Sequence, residues 1–282
     1  MYDRVITRNE PGCVVFLLDR SDSMKQAWHG GPETMAEGAA AVLNEILLDL
    51  CLMAQKEPGR ALHYFDIGIF GYGLRSVAGG EGVESAFGGS LQGQALVPLP
   101  VLRANPLAVQ QVSSVDPVAP SSRVPVWVQP VHGYRTPMCQ AIAVAGGHVY
   151  DWTAAHPDSF PPIVINIPDG MVTDNPYEGA DLGEWAKRLT SIQTSDGSAL
   201  LFNVFLSPTG ENGKLFPASD HGLPEPGPDL FRISSPLPPP MCANAAKAGV
   251  YIESGARGLG FNADHPMLAK FLEIGTRVVV GN

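Results

Sequence analysis

The feature that most constrains this chain is a six-residue apolar run, Cys13-Val14-Val15-Phe16-Leu17-Leu18, which stops abruptly at Asp19-Arg20-Ser21-Asp22-Ser23. An unbroken run of β-branched, aromatic and aliphatic residues predicts a strand buried on both faces, as at the centre of a parallel sheet. A polar turn follows, and then a helical pattern from about Pro32. Strand, turn and helix in that order put a binding site outside the carboxyl end of the strand in an open α/β sheet. Asp19, Ser21 and Ser23 offer one anionic and two neutral oxygens at alternate positions. Mg²⁺ takes about six oxygen ligands and rarely draws all of them from protein, so three donors within this turn form part of such a shell. The same residue types also cap helices. The short D-x-S-x-S pattern alone leaves both roles open.

Strands and helices alternate along the rest of the chain. Met35, Ala39, Val42, Ile46 and Leu50 recur at the period of a helix with one face to a core. Pro32 is expected near the first turn of that helix and Glu57-Pro58-Gly59 at its end. Residues 63–72 read as a second strand. From about Arg75 to Gln129 the texture turns to Gly, Pro, Ser and Val without a sustained helical period. Residues 75–129 are therefore read as an inserted β-rich segment, with short strands at 95–99 and 124–128, because a structureless loop that long would be unusual. Thr136-Pro137 is a cap and first-turn pair for a helix reaching about Ala155. A strand at 163–167 ends at Pro168-Asp169-Gly170; a helix at 181–194 and a strand at 199–206 follow. The alternation predicts an α/β fold, Rossmann-like and doubly wound, with a mainly parallel central sheet and helices on both faces. Residues 207–282 read as a C-terminal extension packing on the same domain, so that 1–282 forms a single unit. It holds a Gly/Pro-rich connection, a short apolar element at 230–235, a helix to Ala248, and a strand, cap and final helix.

Composition removes several function classes. Eighteen basic against 28 acidic residues give a net charge of −10, which lacks the basic footprint that nucleic acid requires. Met1-Tyr2-Asp3-Arg4 carries no apolar signal core. The most apolar helical stretch, 43–54, contains Glu45 and Asp49 and is too short to span a bilayer. No membrane partner is expected. Cys13, Cys51, Cys139 and Cys242 lie in or beside apolar patterns without metal-type spacing. Buried reduced thiols are the expectation, which suits a cytoplasmic location.

Three separated pieces then converge: Asp19-x-Ser21-x-Ser23 after the first core strand, Thr136-Pro137 at the start of a middle helix, and Asp169-Gly170 after a later strand. Together they closely resemble the metal-ion-dependent adhesion site of von Willebrand factor A (vWA) domains, with a matching residue at all five metal-linked positions. The resemblance covers roughly Gly12 to Leu206 in the order and type of elements. It implies that Ser21 and Ser23 bind a cation directly, that Thr136 does so in the ligand-competent state, and that Asp19 and Asp169 act largely through water or hydrogen bonds. The implied ion is Mg²⁺, with Mn²⁺ or Ca²⁺ as substitutes. The implied function is a metal-dependent protein-binding module, not an enzyme, that captures a carboxylate of a partner protein at an open coordination position. Asp22 stands where the family often has glycine, and Pro168 where it commonly has a small polar residue. The tail looks like that of bacterial stand-alone vWA proteins, which implies a phosphatase- or kinase-like partner in a stress, signalling or conflict system.

Two other readings use the same residues. A phosphohydrolase of the haloacid dehalogenase type would make Asp19 a nucleophile, but that chemistry usually wants a second aspartate two residues on, where Ser21 stands. A scaffold could instead bind partners through residues 75–129. No Gly-x-Ser-x-Gly elbow of a serine hydrolase is present.

Overall fold

The computed structural model describes residues 2–57, 60–75, 81–112, 122–209 and 213–276. The apolar run forms β1 (Gly12–Asp19), buried along its whole length. Its side chains alternate between two cores. Val14, Phe16 and Leu18 join one hydrophobic cluster and Cys13, Val15 and Leu17 another. β1 pairs in parallel with β2 (Phe65–Arg75) on one side and with a strand at Ile163–Ile167 on the other. In chain order the remaining strands of this sheet are β3 (Glu81–Ser85), β4 (Val97–Pro98), β5 (Ile163–Ile167), β6 (Leu200–Leu206), β7 (Lys214–Leu215) and β8 (Leu259–Ala263). The spatial order is β7-β8-β6-β5-β1-β2-β3, with β4 also on β2. The pairs β8-β6-β5-β1-β2 are parallel, and β3, β4 and β7 are antiparallel additions at the edges. The chain leaves β1 for β2 on one side and later returns to β5 on the other. The crevice between the ends of β1 and β5 is thus a topological switch point, where open α/β sheets bind ligands.

Seven helices accompany the sheet among the described residues. They are α1 (Met35–Met53), α2 (Leu99–Ala104), α3 (Met138–Ala155), α4 (Leu182–Thr190), α5 (Gly227–Ile233), α6 (Pro239–Lys247) and α7 (His265–Thr276). Buried residues of α1, α2, α6 and α7 share the cluster of Val14, Phe16 and Leu18; those of α3, α4 and α5 share the other. α1 starts after Pro32, at a capping box in which Thr34 Oγ1 accepts from Glu37 N (3.2 Å) and Glu37 Oε2 accepts from Thr34 N (2.8 Å). The expected stripe Met35, Ala39, Val42, Ile46 and Leu50 is buried, but so are Leu43, Leu47 and Cys51. α1 is covered on a second side by α7, so its apolar surface exceeds one stripe. It stops at Met53, short of Pro58-Gly59, because Gln55–Glu57 turns into a hairpin with Arg60–Ala61.

Several expected boundaries move. The helix expected to reach Thr194 ends at Thr190, since Gln193–Thr194 pairs with Gly197–Ser198. Leu230 to Ile233 are helical in α5, and Leu99 opens a six-residue helix instead of continuing a strand. Residues 75–129 contribute β3 and β4 to the central sheet and a hairpin, Ala108–Val112 with Ser122–Val126. The chain after the hairpin is fastened to α1 by Asn44. Its Oδ1 accepts from Trp127 N (2.8 Å) and Val128 N (3.1 Å), and its Nδ2 donates to Val128 O (2.9 Å). No helix among the described residues is long and apolar enough to cross a membrane.

Asn44 is 7% exposed and serves three buried backbone groups. Replacing it by alanine strands all three, so Asn44→Ala is expected to cost about 3 kcal/mol in urea unfolding.

Candidate metal centre

Asp19 is the last residue of β1 and Asp169 lies two beyond the end of β5. Leu18 pairs with Ile167, so parallel register alone brings the two carboxylates to one edge. Asp19 Oδ1 accepts from Ser21 N (2.8 Å), which folds the turn back over the strand end. Its Oδ2 lies 3.4 Å from Asp169 N. Asp169 Oδ1 accepts from Ser23 Oγ (2.8 Å) and from Ser21 Oγ (3.2 Å), and the two serine oxygens are 2.9 Å apart. Four of the five predicted residues therefore form one hydrogen-bonded group.

Thr136 comes from a third segment and borders the same glycine as Ser23. A Cβ placed on Gly170 would sit 3.7 Å from Thr136 Oγ1 and 3.8 Å from Ser23 Oγ, so both hydroxyls border this residue. Thr136 does not cap α3, contrary to the sequence expectation; Pro137 occupies the cap position without a side-chain hydrogen bond. Asp174 does the capping, accepting from Cys139 N (3.0 Å) and Gln140 N (2.8 Å). The Thr136 hydroxyl is thereby left for other use. Its backbone is held by Thr173, through Thr136 N to Thr173 Oγ1 and Thr173 N to Thr136 O, each 3.0 Å. The segment after Asp169 thus fixes the distance between Asp169 and Thr136. Sequence reasoning missed Thr173 and Asp174, because nothing local marks them as partners of a helix more than thirty residues earlier.

The departures from the expected pattern leave the donors in place. Asp22 is exposed and pairs with Lys25 Nζ at 2.6 Å. Pro168 sits past the strand end, and its carbonyl accepts from Leu206 N at 2.8 Å. Trp28 follows this turn as part of the core. It is buried, its indole donates to Ala263 O (3.0 Å), and it stacks on His265.

Electrostatically the site is short of positive charge. Burial and the neighbouring Asp169 charge push the Asp19 carboxyl well above its ordinary value of 3.8, against hydrogen bonds from Ser21 and Asp169 N–H. Burial also raises Asp169, while the two serine hydroxyls pull it down. No basic group figures among these influences. Asp169 Oδ2 is buried and has no hydrogen-bond partner. Among the described residues no group of three or more His, Cys, Asp or Glu side chains could hold a metal. The donor set here is instead two carboxylates with three hydroxyls. All-oxygen donors with an orphaned anionic oxygen suit a hard divalent cation. Tyr72, the register partner of Asp19, donates to Asn166 Oδ1 (2.9 Å). Asn166 donates to Asn203 (3.0 Å) and Asn203 to Ser234 Oγ (2.9 Å), a fully buried polar ladder across the sheet.

No protein-family model matches the chain, and no curated protein matches it. Among solved structures, proximal thread matrix protein 1 from the mussel byssus is similar at 13% identity and a TM-score of 0.44, covering 94% of this chain and 47% of that one. The ArnB paralog VWA2 from Sulfolobus acidocaldarius is similar at 15% identity and 0.34, covering 70% and 35%. The human COPII-coat protein Sec24c follows at 13% and 0.36, covering 70% and 26%. The chain spans less than half the length of each of these three. Similarities this low assign no family.

The raised carboxyls set a pH dependence for protein stripped of divalent ions. Above 3.8 the folded chain keeps protons that the unfolded chain has released, so stability falls as pH rises from 3.8 through the raised folded values. Asp19→Asn retains an acceptor for Ser21 N–H and removes the repulsion. The metal-stripped variant is expected to melt above wild type at about pH 8, with the gap closing toward about pH 4.

Proposed function

We propose that this chain is a metal-dependent protein-binding module of the vWA type, on a doubly wound sheet, with Asp19, Ser21, Ser23, Thr136 and Asp169 as its metal-linked residues. The observation that carries the reading is Asp169: one oxygen receives both serine hydroxyls, while the other is buried and unpartnered beside a second buried carboxylate. A buried anionic pair without a cation is costly, and a divalent ion is the group whose charge offsets it. The hydroxyls of Ser21, Ser23 and Thr136 would hold Mg²⁺ directly, and Asp19 and Asp169 would orient them and balance its charge. With mostly neutral protein ligands the bound ion remains a strong Lewis acid with a position open to an outside oxygen. A carboxylate on a partner protein fits that position. Such capture needs no nucleophile or general base. Ser21 stands where the phosphohydrolase reading wants an acid, so that reading gains no support. A phosphatase- or kinase-like partner and a bacterial setting enter the proposal through resemblance of the tail alone, and a cytoplasmic location through the four cysteines read as reduced thiols.

Calorimetric titration with Mn²⁺ tests the site. Wild type is expected to bind one ion, Asp169→Asn to lose about 10–100-fold in affinity, and Ser21→Ala with Ser23→Ala to lose saturable binding. Affinity unchanged in the double variant would sink the assignment. Affinity capture with Mg²⁺, with chelator, and with Thr136→Ala then reads the partner. A protein retained in all three is not bound through the ion.

A further inference from the structure

Arg20 lies one residue beyond Asp19 and turns to the opposite side of the strand end. Asp19 continues the alternation of Cys13, Val15 and Leu17, whereas Arg20 continues that of Val14, Phe16 and Leu18. Its guanidinium lies across β2 at Gly71, where a Cβ would come 2.5 Å from Nε, so only glycine leaves it room. Arg20 is 6% exposed, and its Nε is fully buried without a hydrogen-bond partner. Among the described residues no carboxylate or carbonyl accepts from the guanidinium. Glu84, the register partner of Gly71 on β3, acts on it only as a nearby charge. Native structures rarely leave a buried charge unpaired, and a guanidinium with free donors is made for a planar or tetrahedral oxyanion.

The group faces a cavity of about 470 Å³ between the ends of β1 and β3 and the chain that follows β3. Gln92 and Gln129 on its wall carry neutral amide donors, Leu107 packs against Gly88 and Gly89, and Glu84 stands exposed at its margin. On a chain of net charge −10, such a pocket is the opposite of a generic anionic surface. We propose that the Arg20 cavity is a binding site for a small oxyanion, a carboxylate or phosphoryl group, gripped by the Arg20 guanidinium and kept selective by the nearby Glu84. The site is separate from the Asp19/Asp169 centre and does not depend on metal there.

The test is calorimetric titration of resin-stripped, metal-free protein with inorganic phosphate and, separately, with malonate. Without metal the carboxylate centre contributes no anion site, so failure here leaves the metal reading intact, and loss of Mn²⁺ binding leaves this one intact. Wild type is expected to bind one equivalent of at least one of the two anions saturably. The stronger of the two titrations identifies the group as phosphoryl or carboxylate. Arg20→Gln is expected to weaken binding by about tenfold or more, as for a lost charge-assisted hydrogen bond. Glu84→Gln is expected to strengthen it by about threefold through relief of like charge. Absence of saturable heat with both anions would mean that water alone fills the cavity, and would overturn the proposal. Unchanged affinity in a folded Arg20→Gln would do the same. Should Arg20→Gln fail to fold, the exposed Glu84→Gln decides, and affinity equal to wild type refutes the site.

Discussion

Two carboxylates at the ends of neighbouring parallel strands, both withdrawn from water, are the constraint on which the surrounding structure depends. β1 and β5 run side by side with Leu18 opposite Ile167, so Asp19 and Asp169 meet at one edge. Each would be expensive to bury alone. Their surroundings answer with hydroxyls and backbone N–H groups, Ser21 and Ser23 to Asp169 and Ser21 N to Asp19. Those donors ease the cost without cancelling the charge.

The supports radiate from that pair. Thr173 and Asp174 hold Thr136 and the first turn of α3 against the segment that begins at Asp169, so three distant pieces of chain share one loop. The ladder from Tyr72 through Asn166 and Asn203 to Ser234 satisfies polar side chains placed inside an apolar sheet. Satisfied in full, such a network fixes the lateral order of strands better than hydrophobic contact can. On the far side, Asn44 does comparable work for the segment after the hairpin.

Period-two alternation at the end of β1 also explains how one turn serves two environments. Asp19 faces the α3 side with the hydroxyls, and Arg20 faces the α1 side, laid over Gly71. Opposite charges one residue apart are kept from neutralising each other because the strand sends them to opposite faces. Among the described residues neither forms an ion pair, and Glu84 acts on Arg20 only as a nearby charge.

Much of this was written in the sequence. The run from Cys13 to Leu18 can only be a doubly buried strand, and the apolar runs at 163–167 and 200–206 follow the same logic, so the parallel α/β core was legible. That Asp19, Ser21, Ser23 and Asp169 belong together was legible only through the resemblance of three separated motifs to one known site, since the short D-x-S-x-S pattern by itself reads equally well as a helix cap; the structure joins these four by hydrogen bonds. What sequence could not supply was anything set by contact between distant segments. The second covered side of α1 comes from α7. The short helix at Leu99–Ala104 was too brief to show a period. The capping of α3 by Asp174, which frees Thr136, and the isolation of Arg20 over Gly71 exist only once the chain is folded. Local pattern dictates which residues point inward; only tertiary packing decides which partners they find there, because hydrogen bonds and charges are satisfied by proximity in space and not by order along the chain.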